Sequence, residues 1–550
     1  MRMDRQSGVD GRITVTRNAM AVFAILALTA AGPVRAADPE AKDQPKPTTS
    51  PHYFTAMEKT SEGSVVANRQ KIDYRAVAGT LIVHAKGWED TPEKPEGSEK
   101  ADDKASAEAS MFYVAYFKKD ARTENRPLTF IYNGGPGSAT VWLHMGAFGP
   151  RRILTPGDGH QPAAPYKVVP NQDSLLDASD LVFIDAPGAG FSRIAGPDKE
   201  KAFWGIDADG YAFAEFITGF LNRYGRWNSP KYLFGESYGT TRSAVLINIL
   251  ETERAIDFNG VILLSQILNF DLSADTPYFN PGTDTAYATA LPTYAATAWY
   301  HHKLPDAPRD LVALLDEVEH FALTEYTLAL AQGAALGATE RGAIAEKLHR
   351  YTGLPLDYIK KADLRISGGE FSKTLQDDSD TTTGRIDTRF SGPALDSLAK
   401  EADYDPFVAG IGSAYIAGFN DYARKDLKWG DDRRFQLFAE VGKHWSFQHV
   451  PPGADQAPWQ SPNVMVDLAM AMKYNPHLKV LLNAGYFDLA TPFFEGVYEM
   501  MHLPIPDKLQ ANISYKFYES GHMVYAREES LKLLHDTVAD FIKANSPAAP

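Results

Sequence analysis

Gly235-Glu236-Ser237-Tyr238-Gly239 follows the apolar run Lys231-Tyr232-Leu233-Phe234 and precedes a stretch of helical spacing from Thr240 to Glu253. A serine between two glycines at a strand-to-helix junction makes a tight turn that lifts its hydroxyl above a sheet edge. The five-residue pattern alone is a weak signal in a chain with 42 glycines. Its place between a strand and a helix gives it weight.

The surrounding sequence supports the same architecture. Leu128–Tyr132, Leu181–Ile184, Val261–Leu264 and Lys479–Leu482 are further short apolar runs bounded by turn formers. Such runs read as buried strands of a mostly parallel sheet. Asp209 to Tyr224 has helical spacing, so strands and helices alternate, which predicts an α/β sheet with helices on both faces. Residues 53–118 differ. Leu81–Ala85 and Met111–Phe117 are rich in β formers and predict antiparallel strands. The charged stretch from Glu89 to Ser110 reads as a loop between them. About 215 residues between Leu264 and Lys479 hold no clear buried strand. Leu311, Leu315, Val318 and Phe321 repeat at helical spacing, and Thr339 is an expected N-cap for the helix that includes Ala343 to Leu348. A mainly helical cap inserted into the sheet fits this gap.

A serine nucleophile needs a base, and the base an orienting acid; in such sheets the chain order is Ser, acid, His. Asp488 follows the strand Lys479–Leu482, and His522 follows Ser514–Tyr518. Both stand where open α/β sheets place their ligands, past the carboxyl ends of strands. Glu495 and Glu519 are rival acids in less direct positions. Asn133-Gly134-Gly135-Pro136-Gly137-Ser138 follows strand 128–132. Its backbone N–H groups can meet a developing oxyanion, although a plain sharp turn has the same composition.

Composition narrows the chemistry. The 550 residues are 44% hydrophobic and 23% charged, a globular make-up. A net charge of -15 repels phosphate backbones and argues against a nucleic-acid partner. With no cysteine, disulfides, thiolate metal sites and a cysteine nucleophile are excluded. His301-His302 and the other histidines lack metal-ligand spacing, so neither a metal nor a cofactor is expected. Arg2, Arg5, Arg12 and Arg17, the apolar run Ala19–Ala31 and the short side chains up to Ala36 predict an export signal over 1–36. A proline-rich tether, 37–50, follows. The apolar run is short for a bilayer span, so no permanent membrane span is expected. The expected place is periplasmic or secreted. The expected layout is a sheet core over 51–270, the cap over 271–460, and the rest of the core over 461–550.

Together these elements resemble the serine carboxypeptidase family, which has the α/β-hydrolase fold. The resemblance lies in the glycine loop at Asn133–Gly137, in Gly235–Gly239, in Gly521-His522-Met523-Val524 and in Phe183–Ser192. It implies Ser237 as nucleophile, His522 as base and Asp488 as orienting acid. It implies backbone N–H groups of Gly135 and Tyr238 as the oxyanion hole, with Gly134 shaping it. Asn133 and Glu236 are implied to hold the free C-terminal carboxylate of a peptide substrate. Two carboxylates side by side repel, so Glu236 must keep a proton, which predicts activity in acid. Three departures stand out. Ile131 replaces the family's usual Trp, and Ser138 stands where Cys is frequent. Ala147-Phe148 precede Gly149-Pro150, where a further acidic residue is usual. An esterase, aminopeptidase or acyltransferase on the same scaffold, and a catalytically inactive hydrolase-fold binding protein, are the alternatives at this point.

Overall fold

A ten-stranded sheet organises the chain. The computed structural model describes residues 52–88, 106–306, 310–458 and 461–546, all within one unit, Ser50–Pro550. The expected signal and tether lie outside the described residues, as does 89–105 of the charged stretch.

The sheet strands are β1 (Glu58–Ala67), β2 (Gln70–His84), β3 (Glu108–Lys118), β4 (Leu128–Tyr132), β5 (Asp180–Ile184), β6 (Arg193–Ala195), β7 (Lys231–Glu236), β8 (Gly260–Leu264), β9 (Lys479–Gly485) and β10 (Ile513–Tyr518). Their order is β1-β2-β3-β5-β4-β7-β8-β9-β10, with β6 paired to β3. From β5 to β10 every neighbour runs parallel. The first three strands are antiparallel and extend one edge. All residues of β4, β5, β7 and β8 are buried, which is why they read as unbroken apolar runs instead of alternating ones.

Helices α1 (Ile206–Tyr224) and α2 (Tyr238–Asn248) flank β7 in sequence. Helix α9 (Glu528–Ala544) buries Leu531, Leu534, Val538 and Ile542, a stripe at three- and four-residue spacing. Its first turn carries Glu528 and Glu529, which suit the positive end of the helix dipole. The mostly parallel sheet with its helices is an α/β-hydrolase fold.

Between β8 and β9 the chain is mainly helical: α3 (Thr285–Tyr300), α4 (Leu311–Phe321), α5 (Ala338–Thr352) and α6 (Pro406–Lys425) are its longer elements. The strands described there, Thr381–Thr383 and Ser391–Pro393, form only a short antiparallel pair. Helix α5 begins at Ala338 after Gly337, so Thr339 lies inside its first turn and caps nothing. The region does not pack as one body. Residues such as Tyr294, Val318, Leu348 and Phe371 form their own apolar cluster. Ile411, Tyr415, Phe419 and Tyr422 of α6 join the main core instead.

Candidate active site

Pairing of β4 with β7 puts two turns side by side. Tyr132 pairs with Gly235, so the glycine loop leaves the sheet next to the serine turn. Ser237 has φ 60° and ψ −133°, a strained conformation for a residue with a side chain. The turn is held by its neighbours: the Ser237 N–H donates to the Leu264 carbonyl at 2.9 Å, and the Thr240 hydroxyl donates to the Ser237 carbonyl at 2.7 Å. A side chain at Gly235 would strike the Gly239 carbonyl and the Ser243 hydroxyl. One at Gly134 would strike the backbone nitrogens of Tyr238 and Gly239. The two glycines are needed for this close approach.

Asn133 is pinned on every side. Its carbonyl accepts from Arg242 Nη1 at 2.8 Å, and its Oδ1 accepts from the Leu143 N–H at 3.1 Å. Its Nδ2 donates to Glu236 Oε1 at 2.7 Å. Glu236 is 3% exposed. Burial pushes its carboxyl up to about 7, against the opposing pull of His522, Tyr525 and Asn133. A proton therefore stays on this group well above the ordinary carboxylate range.

Asp488 and His522 come from the far side of the sheet, just past β9 and β10. His522 Nδ1 lies 2.8 Å from Asp488 Oδ2. Asp488 is fully buried, and the N–H groups of Ala490 and Thr491 donate to its Oδ1 at 2.9 and 3.0 Å. Thr491 Oγ1 donates to its Oδ2 at 2.8 Å. A carboxylate held in place by these bonds keeps the ring turned with Nδ1 toward it, leaving Nε2 for a reacting group. Burial disfavours the charged ring, but Asp488 and Glu236 outweigh it, so the pKa of His522 lies above its ordinary value. The rival acids are elsewhere: Glu519 pairs with Arg527, and Glu495 is buried on α8 (Phe493–Met501), where burial and Glu499 hold it protonated.

Seven of the eight expected site residues line one cavity of about 690 Å³: Asn133, Gly134, Gly135, Glu236, Ser237, Tyr238 and His522. Asp488 stands behind His522. The sequence reading missed three contributors. Thr491 ties acid to base. Arg242 ties the glycine loop to the helix after the serine. Arg385, in the inserted region, makes a two-pronged pair with Asp275 in the cavity wall, both contacts 2.6 Å. His301, by contrast, bonds the Thr388 carbonyl and is not at the site.

One wall is strapped down by a histidine. Phe447 and Pro462 line the cavity, and His449 lies between them in sequence. His449 Nδ1 is 2.6 Å from Asp207 Oδ1 on α1, and Nε2 is 2.8 Å from Asp467 Oδ2 on α7 (Met465–Tyr474). Burial works against the charged ring, yet the two carboxylates push its pKa up from 6.5 to about 9. The stabilisation is full below 6.5 and is lost as pH rises through 9. His449→Gln is expected to cost about 3 kcal/mol at pH 6, with the gap narrowing by pH 10. Thermal melts at the two pH values test this; an equal loss at both would mean that charge plays no part.

Comparison with known proteins bears on this geometry. A family model described as "Serine carboxypeptidase" matches residues 98–278, which include the glycine loop and Ser237 but not Asp488 or His522. No curated protein sequence matches the chain. Among solved structures, Kex1Δp, a prohormone-processing carboxypeptidase from Saccharomyces cerevisiae, superposes with a TM-score of 0.52 at 14% identity, covering 86% of this chain and 91% of that one. A proline iminopeptidase from Mycobacterium smegmatis aligns at 11% identity over 88% of this chain and 99% of its own, with a TM-score of 0.32. A thermostable carboxyl esterase from Bacillus coagulans aligns at 11% over 86% and 99%, also at 0.32. At 14% identity the likeness to Kex1Δp is one of fold. By the family match, residues 98–278 are similar to the serine carboxypeptidase family, and the reading of the chain as an enzyme of that type rests on this stretch. No helix of the described residues is long and apolar enough to cross a membrane.

Proposed function

We propose that this enzyme of serine-carboxypeptidase type hydrolyses the last peptide bond of peptides or proteins that end in a free carboxylate. The observation that carries this reading is the Asn133–Glu236 pair: a buried carboxyl that keeps its proton to about 7 lies in the same cavity as Ser237 and His522. A protonated Glu236 and the Asn133 amide suit a terminal carboxylate, and an ionised Glu236 would repel it.

In this reading Ser237 Oγ attacks the scissile carbonyl while His522 Nε2 takes its proton. Asp488 keeps the ring oriented and stabilises the imidazolium that forms. The N–H groups of Gly135 and Tyr238 receive the developing oxyanion, and Gly134 permits their approach. His522 returns the proton to the departing amine, and the C-terminal amino acid leaves. Water, activated by the same ring, then cleaves the acyl-enzyme. The basic and apolar N-terminal segment supports an exported enzyme, periplasmic or secreted.

The pH dependence follows from two groups of opposite demand. His522 must be neutral to act as base, so activity rises with pH through its raised pKa. Glu236 must be protonated to hold the carboxylate, so activity on free-acid peptides falls above about 7. The groups that face Glu236 are His522, Asp488, Asn133, Tyr525 and Tyr415. A bell-shaped profile with an acid-to-neutral maximum is expected for free-acid peptides. The alkaline limb should disappear for the same peptides as C-terminal amides or esters. Mass spectrometry of matched acid and amide peptides across pH 4–8 tests the reading. Equal cleavage of amide and acid would favour an esterase or endopeptidase instead.

A further inference from the structure

Glu236 has one oxygen accounted for and one not. Oε1 accepts from Asn133, whereas Oε2 is buried without a hydrogen bond of good geometry. The hydroxyl of Tyr525 is in the same condition: buried, and without a well-formed bond. The two groups are near enough to act on each other: Tyr525 lowers the pKa of Glu236, Glu236 raises that of Tyr525, and Asn133 acts on Tyr525 as well. Glu236 lines the cavity and Tyr525 does not, so the hydroxyl comes from the protein side.

A side chain on Gly146 would strike the Tyr415 hydroxyl and the Tyr525 ring. The next residue, Ala147, is fully buried and has no polar group to offer. Two tyrosines, from α6 and from the turn after His522, therefore close over this corner of the site.

We propose that Tyr525 is a positioning residue for the C-terminal carboxylate of the substrate: its hydroxyl donates to Glu236 Oε2 from behind and turns the acid proton of that oxygen into the cavity. The proposal rests on the carboxypeptidase reading above. Asn133 fixes one oxygen, Tyr525 the other, and the carboxyl loses the freedom to rotate its proton away. Burial keeps the Tyr525 phenol neutral far above the working pH, so Glu236 is the only member of the pair that titrates. A neutral partner that donates to Oε2 also pulls the carboxyl's pKa down, which sets where its proton is lost.

Tyr525→Phe removes one oxygen and keeps the ring that packs against Gly146. The preference for a free-acid peptide over its amide is expected to fall about tenfold, chiefly through KM. The alkaline limb of kcat/KM on free-acid peptides is expected to move to higher pH, since a donor to Glu236 has gone. A purely structural role would lower both substrates together and leave the limb in place. As a measurement without turnover, calorimetry on Ser237→Ala compares an N-acyl amino acid with its amide, with and without Tyr525→Phe. If wild type prefers the acid and Tyr525→Phe changes neither preference nor limb, the proposal is overturned and the carboxypeptidase reading stands. If wild type shows no preference for the acid, that reading falls first.

Discussion

Replacement of Ser237 by alanine is expected to lower kcat on a free-acid peptide by roughly 10⁵- to 10⁶-fold, and His522→Ala by a similar factor. The two side chains act in one step, so the double variant should be hardly slower than either single one. Asp488→Asn keeps the shape but places a donor where His522 Nδ1 needs an acceptor. The ring is then held in the wrong tautomer, at a cost of about 10⁴-fold. Thr491 is bonded to the same carboxylate oxygen and lies 3.2 Å from His522 Nδ1, so it limits how far the ring can swing. A fluorophosphonate probe gives an independent reading, because it labels an activated serine without any peptide. Labelling of wild type and of neither variant is the expected result. No labelling of folded wild type would leave a hydrolase-fold binding protein as the better description.

The second large effect is expected beneath the site. Arg242 and Asp209 form an ion pair with the two side chains 0% and 1% exposed. Arg242 Nε donates to Asp209 Oδ2 at 2.6 Å, and Nη1 donates to the Asn133 carbonyl at 2.8 Å. The guanidinium lies 4.3 Å from the centre of the Phe213 ring and 5.3 Å from those of Tyr132 and Tyr238. Asp209→Ala leaves a buried cation without its partner and is expected to cost about 3–5 kcal/mol. Removing both charges in Asp209→Leu/Arg242→Met should cost less than Asp209→Ala alone, because no unpaired charge remains. Arg242→Lys keeps the charge but loses the fork that reaches Asp209 and Asn133 at once. It is expected to lower activity on free-acid peptides more than it lowers the melting temperature. Thermal melts of the four proteins decide the matter; an Asp209→Ala melt equal to wild type would refute it.

The parts of the site that were legible in the sequence are local. Gly235–Gly239 announces its turn because glycine is needed where backbones nearly touch, and Asp488 and His522 stand just past apolar runs that end in turns. Their meeting depends on the strand order, in which β7, β8, β9 and β10 are neighbours, and the sequence carries no sign of that order. The contacts that hold the site in register were not legible. Arg242 and Asn133 are 109 positions apart and meet only because β4 pairs with β7. Tyr525 sits in an apolar stretch and gives no sign that its hydroxyl ends beside a carboxyl. The inserted region was legible as helices but not as packing. The apolar face of α6 has the same spacing as that of α4, yet one joins the main core and the other does not. Helical periodicity says which side is buried and is silent about against what.

The division of the sheet by the insertion also orders events in time. Ser237 is made 285 residues before His522. At a synthesis rate of about 5–20 residues per second, roughly 15–60 s separate them. Through that interval β8 has an open flank, because β9 and β10 have not left the ribosome. A nascent chain can bend its serine turn during this time, but it has no base to activate the hydroxyl. If Ser237 and His522 act as proposed, hydrolytic power is withheld from the growing chain by its own connectivity until the last two strands dock. In the proposed reading, the step that completes the sheet is also the step that brings the base to the serine.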